Sequence, residues 1–137
     1  MGKKKVVLDT NIYVSAIGWN GIPSQIIQKA IDGEFNLYIS LNQLIEIRDV
    51  LEYPKLKFTK QQKNKFLSQL YSLCQIIIPS KKVDVIREDT DDNAILEPCI
   101  DYKIDFVISG DNHLLKINGF NGSKIITPSK FLEEINL

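Results

Sequence analysis

Short runs of valine and isoleucine recur along the chain, and between them the apolar residues switch to helical spacing. That alternation dictates an α/β fold on a mainly parallel sheet. Lys5-Val6-Val7-Leu8 reads as the first strand and ends at Asp9. A short helix is expected over 11–17, closed by the turn Gly18-Trp19-Asn20-Gly21. Pro23 suits the first turn of the next helix, whose Ile26, Ile27, Ala30 and Ile31 share a face and which Gly33 stops. A second strand covers 35–39. Ser40 then caps a helix running to about residue 53, before Pro54. Thr59 caps a helix carrying Phe66, Leu67, Leu70 and Leu73, and Gln75-Ile76-Ile77-Ile78 is a third strand. After an acidic stretch, a helix is expected over 92–102. Phe106-Val107-Ile108-Ser109 is the fourth strand and Lys124-Ile125-Ile126 the fifth. Thr127-Pro128 opens a closing helix through Phe131, Leu132 and Ile135. A length of 137 residues suits one domain spanning 1–137.

Composition removes several function classes. Lysine plus arginine and aspartate plus glutamate both number 17, so no bulk positive field draws nucleic acid non-specifically. No apolar stretch approaches the roughly 18 residues of a membrane span. Lys3-Lys4-Lys5 runs straight into the first strand, without the long apolar region of a secretory leader, which leads us to expect a cytoplasmic protein. Cys74 and Cys99 lie too far apart for a CxxC pair, and His113 alone completes neither a zinc set nor a catalytic triad. Neither the GxxxxGK[ST] loop nor the GxGxxG fingerprint occurs. A haloacid-dehalogenase-type phosphatase would want an aspartate where Asn11 stands. A receiver domain would want a phosphorylatable aspartate at the end of the third strand, where Pro79-Ser80 falls.

The acids are placed more tellingly than the bases. Asp9 follows the first strand and Asp111 follows the fourth, two residues after Ser109. Ligands of open α/β sheets sit beyond the carboxyl ends of strands. Helix capping accounts for either aspartate alone; the two together favour a function. Asp92 heads the stripe Ile95, Leu96, Cys99 and Ile100, so it points along the buried face, beside Asp89 and Asp91. Two carboxylates about 4 Å apart repel by roughly 4 kcal/mol at an effective dielectric near 20. Several in one cleft must protonate, stay solvated or hold a cation. With only oxygen donors on offer, that cation is Mg²⁺ or Mn²⁺, and such sites commonly handle phosphate esters. Glu46 lies nearly opposite Leu44, Ile47 and Leu51, so periodicity makes it a solvated residue that nothing distinguishes from Glu52.

Taken in order, these segments resemble the PIN domain, specifically the VapC-like branch of toxins from toxin–antitoxin systems. Val7-Leu8-Asp9-Thr10-Asn11 resembles the family's opening strand and first metal-binding aspartate. The stretch from Ser40 through Glu46 to Leu51 resembles the one carrying its glutamate. Asp91-Asp92-Asn93-Ala94-Ile95-Leu96 resembles the third acidic motif, and Val107-Ile108-Ser109-Gly110-Asp111 the fourth. Thr127-Pro128-Ser129-Lys130-Phe131-Leu132 is similar to the closing motif. The resemblance implies a Rossmann-like three-layer α/β/α sandwich with a five-stranded sheet of order 3-2-1-4-5, which sets Asp9 beside Asp111. It implies a Mg²⁺- or Mn²⁺-dependent endoribonuclease, with RNA as substrate and an antitoxin and a second copy of the chain as partners. Asp9, Asp92 and Asp111 would ligate the metal, Glu46 would position metal and water, and Asn11 and Ser109 would orient the carboxylates. Asp91 competes with Asp92 for the third place; inward phase and motif favour Asp92.

Two features qualify that reading. Pro98 stands where the family tends to have a helix former, and should kink the helix beyond Asp92. Lys55, Lys57, Lys60, Lys63 and Lys65 have no acid between them, which makes either a rim for phosphate backbone or a solvated helix face. Trp19 reads as a base-stacking residue or a packed loop anchor. The rival function is a non-catalytic PIN module that binds RNA or a protein. It predicts loss of one or more acids, and here all four positions are filled.

Overall fold

A computed structural model describes residues 2–18, 20–78 and 94–136. Trp19, the 81–88 stretch, Asp89, Asp91 and Asp92 lie outside the described residues. The chain runs β1 (Lys5–Leu8), α1 (Thr10–Gly18), α2 (Ile22–Ile31), β2 (Asn36–Ser40), α3 (Leu41–Val50), a 3₁₀ turn (Pro54–Leu56), α4 (Lys60–Leu73) and β3 (Gln75–Ile77). After residues 94–96, which are helical, come α5 (Pro98–Asp101), β4 (Phe106–Ile108), α6 (Asn112–Ile117), β5 (Gly119–Phe120), β6 (Ser123–Ile126) and α7 (Pro128–Ile135). No described helix is long and apolar enough to cross a membrane.

The sheet order is β3-β2-β1-β4-β6-β5. Its five parallel strands follow the expected 3-2-1-4-5 order. A sixth, β5, adds an antiparallel edge that strand-length patterning does not reveal: it is two residues long and pairs Gly119 with Lys124 and Phe120 with Ser123. Beside it, the Ile125 N–H donates to the Asn118 carbonyl at 3.1 Å.

Alternation along the central strands sorts their side chains into two cores. Val6, Leu8, Phe106 and Ile108 face α1, α2, α3, α4 and α7, where Tyr13, Ile26, Ile47, Leu70 and Phe131 fill the space. Val7 and Val107 face the other way, onto Ile95, Leu96, Cys99 and Leu114. Both central strands are therefore buried on both faces, which is why they read as unbroken apolar runs.

Capping residues set several boundaries. Ser40, Thr59 and Thr127 each accept a backbone N–H from the third helical residue, as their positions in the sequence predict. Gly33 turns the chain after α2 with φ 83°, a left-handed conformation that favours glycine. The helix expected over 92–102 breaks at Glu97, immediately before Pro98, which has no N–H to continue it. The helix expected to reach residue 53 ends at Val50, and Pro54 opens the 3₁₀ turn instead.

Tyr13 and Cys74 meet in the larger core, Oη to Sγ, at 3.8 Å. Burial pushes the tyrosine hydroxyl well above its ordinary range, with the Cys74 charge adding to the effect. Burial likewise raises the Cys74 thiol from 9.0 to about 11, against a lowering by the Tyr13 contact.

Candidate active site

Parallel strands β1 and β4 lie side by side, Leu8 opposite Ile108, so the residues that follow them leave the sheet together. Asp9 is 4% exposed. Its N–H extends the ladder to the Ile108 carbonyl at 2.9 Å. Its Oδ1 accepts the Asn11 backbone N–H at 2.9 Å, and its Oδ2 accepts the Ser109 hydroxyl at 2.6 Å. The same hydroxyl accepts the Asp111 N–H at 2.9 Å. One buried serine thus ties the carboxylate that ends β1 to the backbone that carries the second aspartate.

Asp111 is held differently. Its side chain is 31% exposed, lies 3.8 Å from His113 Nδ1, and caps α6 by accepting the His113 N–H at 2.8 Å. Both aspartates therefore make the local bonds that capping anticipates. They also line one cleft of about 330 Å³ with Asn11, Ser15, Gly110 and Pro128, and no lysine or arginine is among its described lining residues. Asn11 reaches Asp9 through its backbone N–H and is one of the residues that line the cleft.

Glu46 lies on α3, which packs against α1, and is half-buried rather than solvated as its phase suggests. It is not among the residues lining the cleft. Ile95, Leu96 and Cys99, the stripe that Asp92 heads, are buried as expected, while Asp92 itself lies outside the described residues. Among the described residues no three carboxylate, histidine or cysteine side chains gather closely enough to hold an ion. The two carboxylates that share the cleft are hard oxygen donors, which suit a hard divalent cation better than zinc.

Two buried polar residues near this end of the sheet escape sequence reasoning. Gln43, fully buried on α3, donates from Nε2 to the Leu8 carbonyl at 2.6 Å and lies 3.5 Å from Thr10 Oγ1. Glu97 is 4% exposed and accepts the Asn42 amide at 3.1 Å and 3.3 Å. A nearby bond from Ser40 Oγ to the Ala94 carbonyl, 3.2 Å, ties the 94–101 segment to the start of α3. The pattern Ser-x-x-Gln at Ser40 marks a capping box, which would send the Gln43 side chain back to the Ser40 N–H rather than to Leu8. Nothing comparable marks Glu97.

The sequence profile of the PIN domain matches residues 5–113, a span that includes both strand-end aspartates and the fully buried Ser109. The chain belongs to the PIN domain family. This PIN domain is similar to the uncharacterized protein MJ1680 of Methanocaldococcus jannaschii, 35% identical over 145 residues, covering 96% of this chain and 92% of that protein. Its fold is similar to the crystal structure of PAE2754 from Pyrobaculum aerophilum. There the TM-score is 0.60 at 13% identity, over 98% of this chain and 90% of the other. Membership of a family of nuclease type agrees with acids at the carboxyl ends of adjoining strands.

Proposed function

We propose that this PIN domain is a cytoplasmic endoribonuclease that depends on Mg²⁺ or Mn²⁺. The observation that carries the reading is the cleft shared by Asp9 and Asp111, two carboxylates that follow adjoining parallel strands. Asp9, Asp92 and Asp111 would hold the ion, and Glu46 would position the attacking water. A divalent ion, when bound, supplies charge neutralisation at the phosphate and activates water for in-line attack. The chain's own work is preorganisation. Ser109 and the Asn11 N–H fix both oxygens of Asp9, so little reorientation remains to be done on binding. Attack by water leaves 5′-phosphate and 3′-hydroxyl ends.

Lys55, Lys57, Lys60 and Lys65 are exposed, whereas Lys63 pairs with Glu52 at 3.0 Å. The four exposed lysines are free to meet a phosphate backbone, as a rim would require. The toxin role, with an antitoxin and a second copy as partners, is carried by the order of the motifs. Growth arrest on expression, relieved by a small DNA-binding protein encoded next to this chain, would support it. Light scattering at high micromolar concentration tests the dimer.

The deciding experiment is cleavage of a labelled RNA panel in Mg²⁺, Mn²⁺ or EDTA, with Asp92→Asn and Asp91→Asn in parallel. Metal-dependent cleavage lost in Asp92→Asn and kept in Asp91→Asn is the expected result. The reverse pattern reassigns the third ligand to Asp91. Binding of RNA without cleavage in either metal would favour the non-catalytic module.

A further inference from the structure

The same four-residue pattern, a hydroxyl cap followed three residues later by glutamine, occurs twice in this chain and is used in two ways. At Thr59 it closes a capping box: the Gln62 N–H donates to Thr59 Oγ1 at 3.1 Å and the Thr59 N–H donates to Gln62 Oε1 at 2.8 Å. At Ser40 only the first half forms, the Gln43 N–H donating to Ser40 Oγ at 3.0 Å. The Gln43 side chain goes instead to the end of β1, where Nε2 binds the Leu8 carbonyl at 2.6 Å. Its Oε1 is buried without a hydrogen-bond partner among the described residues. An unpaired buried acceptor is costly, and an apolar residue of the same shape would avoid it.

What the diverted amide holds is specific. The β1–β2 ladder pairs Lys5 with Asn36 and Val6 with Leu37, while the β1–β4 ladder continues to Leu8. The Leu8 carbonyl therefore lies past the last β1–β2 pair, and Gln43 supplies a donor there. The residues on either side of Asp9 in sequence, Leu8 and Thr10, are the two that Gln43 Nε2 approaches. Gln43 also stands three residues before Glu46 on α3, so it joins the peptide that carries Asp9 to the helix that carries Glu46.

We propose that Gln43 is a positioning residue of the acidic site, fixing the end of β1, and with it Asp9, against the helix that carries Glu46. The proposal rests on the metal-dependent reading above. Outer residues that orient metal ligands typically alter metal affinity by tenfold or more when replaced.

The test uses Mn²⁺ alone, without RNA, and reads the concentration that gives half of the maximal rise in melting temperature. Gln43→Met keeps the length and removes the amide; its Mn²⁺ midpoint should rise about tenfold. RNA cleavage at fixed low Mn²⁺ should fall correspondingly and recover at high Mn²⁺, with KM for RNA unchanged. A purely structural glutamine would lower the metal-free melting temperature and leave the Mn²⁺ midpoint alone, which overturns the proposal. Gln43→Asn, which keeps the amide one methylene short of Leu8, should fall between wild type and Gln43→Met; should the methionine variant not fold, it carries the test on the same criterion. Asp9→Asn separates the two levels. A midpoint moved by Asp9→Asn and not by the Gln43 variants overturns the positioning role alone. A midpoint that none of them moves overturns the metal reading and the positioning role together.

Discussion

Strands β1 and β4 carry aspartate at both ends of their pairing, and the two ends are built differently. At the amino end, Asp105 accepts the Lys5 N–H at 2.8 Å through Oδ2, and its own N–H donates to the Lys5 carbonyl at 2.8 Å. The hollow there, about 470 Å³, is lined by Lys4 and Lys124 as well as Glu34, Asp105 and Glu134. At the carboxyl end, Asp9 and Asp111 line a smaller cleft, with no lysine or arginine among its described lining residues. The two lysines of the larger hollow stand against three acids, whereas the acids of the carboxyl-end cleft have no lysine or arginine beside them among its described lining residues. The larger hollow is thus the weaker candidate. Position on the sheet and local charge balance decide the matter together.

The largest expected effect breaks or confirms that contrast directly. Asp9→Asn and Asp111→Asn should each lower RNA cleavage by about 100-fold or more, the scale of losing one preorganised electrostatic group. Asp105→Asn should stay close to wild type in activity while losing some stability in urea. Equal damage from all three would erase the distinction between the two ends. Glu46→Gln should reduce cleavage less than either carboxyl-end variant.

Next comes metal linkage. Mn²⁺ at a hundredfold excess over its Kd should stabilise the wild type by about 2.7 kcal/mol, which corresponds to several degrees in melting temperature. Asp105→Asn should keep that response and Asp9→Asn should lose most of it. Without metal, Asp9→Asn removes one repelling charge but weakens the bonds from Ser109 and Asn11, so its own melting temperature should move little. Ser109→Ala follows in size. It strips a charge-assisted bond from Asp9 and an acceptor from the Asp111 N–H, and should cost about 1–3 kcal/mol by urea denaturation.

The smallest effect concerns a buried titratable pair at neither end. Cys74 holds its proton more tightly when folded, with the thiol raised from 9.0 to about 11. Its contribution is therefore complete below pH 9 and is lost as pH rises through about 11. Stability measured across that window should fall in the wild type and fall less steeply in Cys74→Ala, where buried Tyr13 still contributes above pH 10. Burial alone perturbs a group without making it functional, and Mn²⁺ should leave this alkaline fall unchanged.

Much of this was legible in the sequence because it rests on local rules. Asp9 and Asp111 could be placed from strand ends, and Ser40, Thr59 and Thr127 from helix starts. The order of the five parallel strands came from the resemblance of the motifs. What escaped detection is polar and buried. Periodicity sorts residues by hydrophobicity, so it assigns glutamine and glutamate to solvent wherever they fall. Gln43 and Glu97 are buried because of the partners they meet across the fold, Leu8 and Asn42, which lie 35 and 55 residues away in the chain. Glu46 was set in solvent for the same reason. β5 escaped because two residues establish no alternation.

That short strand has a consequence for how the protein behaves when crowded. The border of a sheet offers a row of unsatisfied amides and carbonyls to any strand that drifts past, including one from an identical molecule. Here the chain folds back on itself at that border, and Phe120 and Ser123 pair with each other. The Ile125 N–H is already taken by Asn118. Lys124, exposed between them, adds a charge that an incoming strand would have to desolvate. The β6 side of the sheet is blunted against edge-to-edge growth by a turn of the chain only a few residues long.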